Sequence, residues 1–328
     1  MVLPAARIHA PPAGQAASLS GAGSLLRPAA SPFFLSAQRA SPMHIPFEFG
    51  PGKVLGDRFE VREASRQGGL SVAFRALDRS SGDECEIQVF PSSLFDGTKE
   101  LQEFASGWRP WQRVESEHVL RVRETAFVGE NGLLLVTDIP SGVCLREVVN
   151  AIAPLPEESI VTLGLELLDG LIETHNHGLV HGDVKPLTVW VRGEAPNRKA
   201  MLVDGGTTPG LWTAKDLGER TALIGTPYYA PVEQFGGDAP TVQSDVYNVA
   251  TLLFEMATGV QPFAGKSFLD VFQSKLERVP PRIKDRARDV EVSSKLEEAI
   301  RGGLFADKAE RYPTATAFRE ALAACQAS

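Results

Sequence analysis

The apolar pattern of this chain changes period once, near Gly142, and that change restricts the possible folds more than any other feature. Before it, the runs FEVREA (59–64), SVAFRAL (71–77), ECEIQVF (84–90), VLRVRETAFV (119–128) and LLLVTD (133–138) alternate or are rich in β-branched residues, and Gly, Asp and Ser bound them. Such runs predict strands, because side chains alternate between faces along an extended backbone. After Gly142 the apolar residues return at helical spacing. In PEESIVTLGLELLDGLIETHNHG (156–178), Val161, Leu165, Leu168 and Ile172 share one face, Pro156 with Glu157 and Glu158 suits a first turn, and Gly178 suits a C-terminal cap. SDVYNVATLLFEMATG (244–259) is apolar on nearly every side, which predicts a buried central helix, and 292–302 and 314–325 predict two amphipathic ones. The stretch from Lys99 to Val114 reads as a poor helix, since Gly107 and Pro110 fall inside it. Five strands followed by a helical half predict an α+β molecule of two lobes with a cleft between them.

The rest of the composition narrows the function classes. Of 328 residues, 43% are apolar and 23% charged, which suits a chain with a substantial core. No apolar run approaches the roughly 20 residues that would span a bilayer, so no membrane span is expected. A net charge of -8 argues against nucleic acid as the main partner, because phosphate binding needs a basic surface. Cys85, Cys144 and Cys325 are odd in number and lack zinc-site spacing, and they read as reduced thiols of a cytoplasmic protein. Residues 1–46 are rich in Ala, Pro, Ser and Gly and hold no acidic residue, so they cannot offset their ordering entropy by burial and read as a disordered tail.

Seven segments carry further information, in chain order: QGGLSVAFRALD (67–78), the strand CEIQVF (85–90), HGDVKP (181–186), LVDGG (202–206), GTPYYAPVEQF (225–235), the central helix, and DKAERYP (307–313). Taken together, from about Phe59 to Cys325, they resemble a bacterial-type serine/threonine protein kinase domain. The resemblance implies a two-lobed fold over 54–325, with a small N-lobe (54–140) and a helical C-lobe (141–325), and a protein as partner or substrate. It implies ATP and magnesium as cofactors if the chain is active. Asp183 is then the residue that accepts the proton of a substrate hydroxyl, and Lys185 the one that neutralises a transferring phosphoryl group. Asp245 would tie down the backbone of the catalytic loop, Glu233 would pair with Arg311, and Thr226, beside Gly225 and Pro227, would bond toward Asp183 and Lys185.

The departures from the family pattern fall on the nucleotide side. Gly68 and Gly69 match the middle of the glycine-rich cover, but Arg66 and Ser71 replace its other glycines, and side chains there restrict the approach of backbone to phosphate. The strand lysine falls at Gln88, which is neutral. Glu86 stands where a small residue would pack on adenine, and a carboxylate beside polyphosphate is unfavourable. The helix glutamate aligns to Gly107, and the asparagine for a second magnesium to Thr188. Asp204 matches the magnesium-binding aspartate, but Gly205 replaces the phenylalanine after it, and a metal held by Asp204 alone would be weak. Gly182 replaces the arginine that reads a phosphorylated activation segment, so switching at Thr207, Thr208 or Thr221 is not expected. Trp190 stands where an aliphatic residue would support adenine and is expected to fill that volume. Arg62, Arg66 and Arg75 are the candidates for a displaced cation, with arginine a poor geometric substitute for lysine. The expectation is a kinase-fold signalling protein that binds protein partners without efficient phosphoryl transfer, that is, a pseudokinase with no cofactor. The alternative is a divergent, active ATP-dependent Ser/Thr kinase.

Overall fold

The computed structural model describes residues 49–67, 71–128, 132–194, 197–215, 228–277 and 279–326. Gly68, Gly69, Thr221, Gly225, Thr226 and Pro227 lie outside them.

The first half forms one antiparallel sheet from β1 (Val54–Leu55), β2 (Phe59–Gln67), β3 (Val72–Asp78), β4 (Glu84–Pro91), β5 (Val122–Phe127) and β6 (Gly132–Thr137), in the order β1-β2-β3-β4-β6-β5. The five expected runs all became strands. The sixth, β1, is only two residues long, too short for alternation to reveal it. Phe59, Val61, Phe74, Ile87, Val89, Leu134 and Val136 pack as a separate small core on one face of the sheet.

Helix α1 (Thr98–Gly107) ends at Gly107, and Pro110 opens the 3-10 turn Pro110–Arg113 that follows. The two residues expected to spoil a helix therefore bound it, as a proline with no N–H to leave unpaired can do at a first turn. The helix buries Leu101, Phe104 and Ala105. Phe104 meets Phe90 of β4 edge-on at 5.1 Å and Trp108 at 6.1 Å, and Trp108 meets Trp111 at 6.1 Å. This aromatic file belongs to the same core as the helices of the second half, so the two lobes share packing. Each such ring stabilises by roughly 1.5–3 kcal/mol through burial.

The second half is helical: α2 (Leu145–Ile152), α3 (Glu157–Asn176), α4 (Thr207–Lys215), α5 (Val232–Phe235), α6 (Val242–Thr258), α7 (Phe268–Lys275), α8 (Ile283–Arg286), α9 (Ser294–Gly303) and α10 (Ala315–Ala323). A small sheet, β7 (Val143–Cys144), β8 (Val189–Arg192) and β9 (Lys199–Leu202), lies between α2 and the later helices in order β7-β8-β9. Helix α3 carries Glu157 and Glu158 in its first turn and is followed by Gly178 at φ 71°, a left-handed conformation that glycine adopts freely. Helix α6 is buried along nearly its whole length, as its all-round apolar sequence requires, and it stops at Gly259 with φ 73°. Thr241 caps its first turn by accepting the Ser244 N–H.

Among the described residues, no helix is long and apolar enough to cross a membrane.

Candidate active site

The segment 181–190 leaves α3 and enters β8, and its backbone is fixed from below by one carboxylate. Asp245, in the first turn of α6 and fully buried, accepts the N–H of Gly182 at 2.7 Å and that of His181 at 2.9 Å, with His175 Nε2 also at 2.9 Å. Charge-assisted bonds of this kind are the strong ones, and they satisfy a carboxylate that burial would otherwise penalise. His181 is buried with Nε2 3.1 Å from the Val203 carbonyl and Nδ1 3.3 Å from the Asp183 N–H, a pattern that assigns the proton to Nε2. Burial holds its pKa below the ordinary histidine value.

So fixed, the loop presents Asp183 and Lys185, paired to each other at 2.5 Å. Thr188, at the position of the metal-binding asparagine, is buried and gives its hydroxyl to the Asp183 carbonyl at 2.7 Å while accepting the Lys185 N–H at 3.0 Å. Its side chain stabilises the loop from within and does not extend toward a ligand.

Across the cleft, a β-bulge reshapes the site. The pairing of β2 with β3 slips between Ala64 and Arg66. Regular alternation would send Ser65 and Arg66 to opposite faces, whereas a bulge lets neighbouring residues reach one target. That target is Glu86 on β4: it accepts from Ser65 Oγ at 2.7 Å, Arg66 Nε at 2.9 Å and Arg66 Nη2 at 2.6 Å, and it is wholly buried. The same guanidinium reaches Asp204 Oδ2 at 2.5 Å. Gln88, opposite Ala73 in the β3–β4 pairing, gives Nε2 to Ser71 Oγ at 2.7 Å and to Asp204 Oδ1 at 3.3 Å. Burial works against the charge on Arg66, but the two carboxylates outweigh it and hold the guanidinium above its ordinary range.

In this cluster Arg66 neutralises Glu86. Of the three candidate cations, Arg66 alone enters the cleft, while Arg62 pairs with Glu60 and Arg75 with Glu63 at the surface. The donor set also does not fit the magnesium that the family uses. Both oxygens of Asp204 are engaged by Arg66 and Gln88, and Thr188 is turned into its own loop, so neither is free to coordinate a cation.

Three expectations change. Gly107 is exposed at the end of α1, with open space where a side chain would begin, so it is not the position that faces the strand. The inward residues of α1 are apolar, and the missing ion pair is replaced by the packing of Phe104. At Gly205 the lobe-to-lobe packing is not interrupted: an added Cβ would come within 2.5 Å of Trp111, whose indole also lies against Gly206 and supplies a ring from the opposite side. Trp190 does not fill the cleft. It is half-buried in the wall of a cavity of about 400 Å³ that Arg66, Gln88, Asp183, Lys185 and Asp204 also line.

Helix α4 lies beneath this site. An added Cβ at Gly182, where φ is 80°, would sit 2.6 Å from the ring of Pro209, and one at Gly210 would sit 3.1 Å from Phe104. Thr207 opens the helix and Thr208 is buried in the cavity wall.

Two polar assemblies escaped the sequence reading. Arg146 of α2 donates to Glu255 and to the Tyr229 hydroxyl, both at 2.7 Å, and that hydroxyl donates to Glu255. Lys275 of α7 is buried, gives its ammonium to the carbonyls of Tyr228 at 2.9 Å and Ala230 at 2.7 Å, and lies 4.9 Å from the Tyr247 ring. Burial pushes its pKa well below the ordinary lysine range. Its neighbours Gln273, Ser274 and Glu277 are polar, so nothing in the local sequence marks Lys275 as buried. Arg311 meets Glu233 with two bonds, at 2.8 and 3.2 Å.

The family model for the protein kinase domain matches residues 60–322, and the chain belongs to that family. It is 25% identical over 262 residues to the probable serine/threonine-protein kinase PknB of Lactococcus lactis, covering 80% of this chain and 41% of that protein. It is 29% identical over 236 residues to the serine/threonine-protein kinase PknL of Mycobacterium tuberculosis, covering 70% of this chain and 56% of the relative. The chain thus spans about half the length of the curated relatives it matches. The kinase domain of Mycobacterium tuberculosis PknI superposes with a TM-score of 0.65 at 16% identity, over 84% of this chain and 99% of that one, a likeness of fold.

Proposed function

We propose that this member of the protein kinase family is a signalling pseudokinase: its kinase-like unit, 54–325, acts in the cytoplasm by binding a protein partner and does not transfer phosphate efficiently. The observation that carries this reading is the closed cluster of Glu86, Arg66 and Asp204. Phosphoryl transfer depends on charges that are open to the phosphates, and here the cleft's charges are spent on one another. The loop side keeps its geometry, with Asp183, Lys185, Asp245 and the Arg311–Glu233 pair in place, so a surface for protein contact survives where the chemistry does not.

One observation favours a second reading, a divergent but active ATP-dependent Ser/Thr kinase. Arg66 brings a cation to Asp204, near the position that the strand lysine vacated, and Asp183 lines the same cavity. In that reading Asp183 remains the proton acceptor and the Arg66–Asp204 contact opens when nucleotide enters.

A thermal-shift titration with ATP, with and without magnesium, separates the two. A ligand at 100 times its Kd stabilises by about 2.7 kcal/mol. The pseudokinase reading expects no magnesium-dependent shift. A clear one, together with labelled phosphate transfer that Asp183→Asn abolishes, establishes the second reading instead.

A further inference from the structure

Helix α7 turns apolar side chains outward. Val271 and Lys275, one turn apart, are buried, and Lys275 spends its ammonium on the carbonyls of Tyr228 and Ala230. Leu269, Phe272 and Leu276 follow the i, i+3, i+7 spacing of another stripe, turned away from those two. Leu269 is 57% exposed and Leu276 53%, and Val279, just past the helix, is 59% exposed. Phe272 is half-buried, its ring stacked at 5.2 Å on Phe235 of α5. Of the large hydrophobic residues left exposed in the described structure, the others (Phe127, Val143, Ile152 and Leu187) are scattered over the first two hundred residues. Single exposed apolar residues are ordinary, whereas a contiguous stripe marks a surface that a partner covers.

The surroundings set the charge of that partner. The chain carries a net charge of -8, yet between 264 and 289 seven basic residues stand against four acidic ones. Two of those four are spent on helix starts: Asp270 accepts the N–H groups of Lys266 and Ser267 at 2.9 and 3.0 Å, and Asp285 accepts that of Arg282 at 2.8 Å. Lys266, shortly before Leu269, and Arg282, shortly after Val279, are exposed and pair with no carboxylate among the described residues. An acidic partner is therefore drawn to this corner and repelled by the net charge elsewhere. Backbone groups inside α7 are bonded within the helix, so an extended chain finds no edge to pair with. The complement of a helical stripe is a second helix laid along it.

We propose that the outward face of α7 docks an acidic amphipathic helix of a protein partner, whose apolar side chains cover Leu269, Phe272 and Leu276 and whose carboxylates reach Lys266 and Arg282. This rests on the reading of the chain as a protein-binding unit, and it adds the chemistry of the partner and a surface that lies outside the cleft.

The test uses the full chain and three labelled peptides of about 18 residues, or five helical turns, read by fluorescence anisotropy. One carries leucines at i, i+3, i+7 spacing with glutamates between them, one has lysines in place of the glutamates, and one has the composition of the first in an order that breaks the stripe. The first peptide binds, more weakly as salt rises, and the other two bind at least about tenfold more weakly. Leu269→Ser with Leu276→Ser weakens the first peptide by about tenfold, and Lys266→Glu with Arg282→Glu does the same while flattening the salt dependence. The comparison of peptides needs no variant and stands even if a variant fails to fold. If the glutamate peptide does not bind, or the lysine peptide binds as tightly, the inference is overturned. A chain that sediments alone as a dimer, and that Leu276→Glu returns to monomer, also overturns it, because a second copy then covers the face. None of these results bears on the closed ion cluster. The pseudokinase reading fails instead on a magnesium-dependent shift with ATP, which leaves the peptide result standing.

Discussion

Two buried carboxylates, Asp245 and Glu86, are each held by three donor contacts, and they leave their halves of the cleft in opposite states. Asp245 receives two of its contacts from backbone, at Gly182 and His181. Glu86 receives all of its contacts from the side chains of Ser65 and Arg66. A carboxylate bound to backbone shapes a loop and leaves the loop's side chains free to face a ligand. A carboxylate bound to a side chain takes that side chain out of use. The first half of the cleft is therefore a scaffold that still presents Asp183 and Lys185, and the second is a site closed on itself.

The comparison breaks most severely if Asp245 is removed. Asp245→Ala leaves two backbone donors and a histidine without their buried acceptor and is expected to cost roughly 4 kcal/mol, read from urea denaturation midpoints. Arg66→Met strands Glu86 and is expected to cost about 3 kcal/mol. Adding Glu86→Leu should return most of that loss, because replacing both partners of a buried pair is far milder than removing one. A double variant no more stable than Arg66→Met would show that the cluster is not a closed pair. Gly182→Arg, which rebuilds the family's residue, forces a side chain onto a backbone at φ 80° and into Pro209, and a loss of about 2 kcal/mol in thermal unfolding is expected.

The smallest expected effect concerns pH. Burial depresses the pKa of His181 in the folded state, so below about 6.5 the unfolded chain binds a proton that the folded one refuses. Stability is then lost as pH falls from that value toward the folded pKa, by at most about 1.4 kcal/mol for each unit of depression. His181→Asn should flatten this part of a melting profile recorded between neutral and mildly acid pH, and an unchanged slope would show that His181 does not set it.

The architecture was legible because long apolar periods survive tertiary context. The helices around Leu165 and Val249 and the strands around Ile87 and Leu134 all formed where the pattern placed them. The interior of the site was legible on one side only. Asp183, Lys185 and Asp245 lie in or bond to one continuous segment, and local motifs report such residues directly. Arg66 could be noted as a candidate but not placed, because its partners lie 20 and 138 residues away and a one-residue bulge aims it. Trp111 was missed for a related reason, since the space it fills is defined by glycines almost a hundred residues later. The misplacement of the helix glutamate at Gly107 came from register: where a short helix starts decides which residues face inward, and spacing alone does not fix that start.

The rings of Trp111 and Pro209 give this cleft a direction in time. Gly182, Gly205 and Gly206 stand under those rings, and a side chain added at any of them meets an indole or a pyrrolidine before it meets anything else. Restoring a family residue in a single step therefore lands on occupied volume, and the occupant has to leave first. Each of these positions therefore accepts a larger residue only together with a change at Trp111 or Pro209.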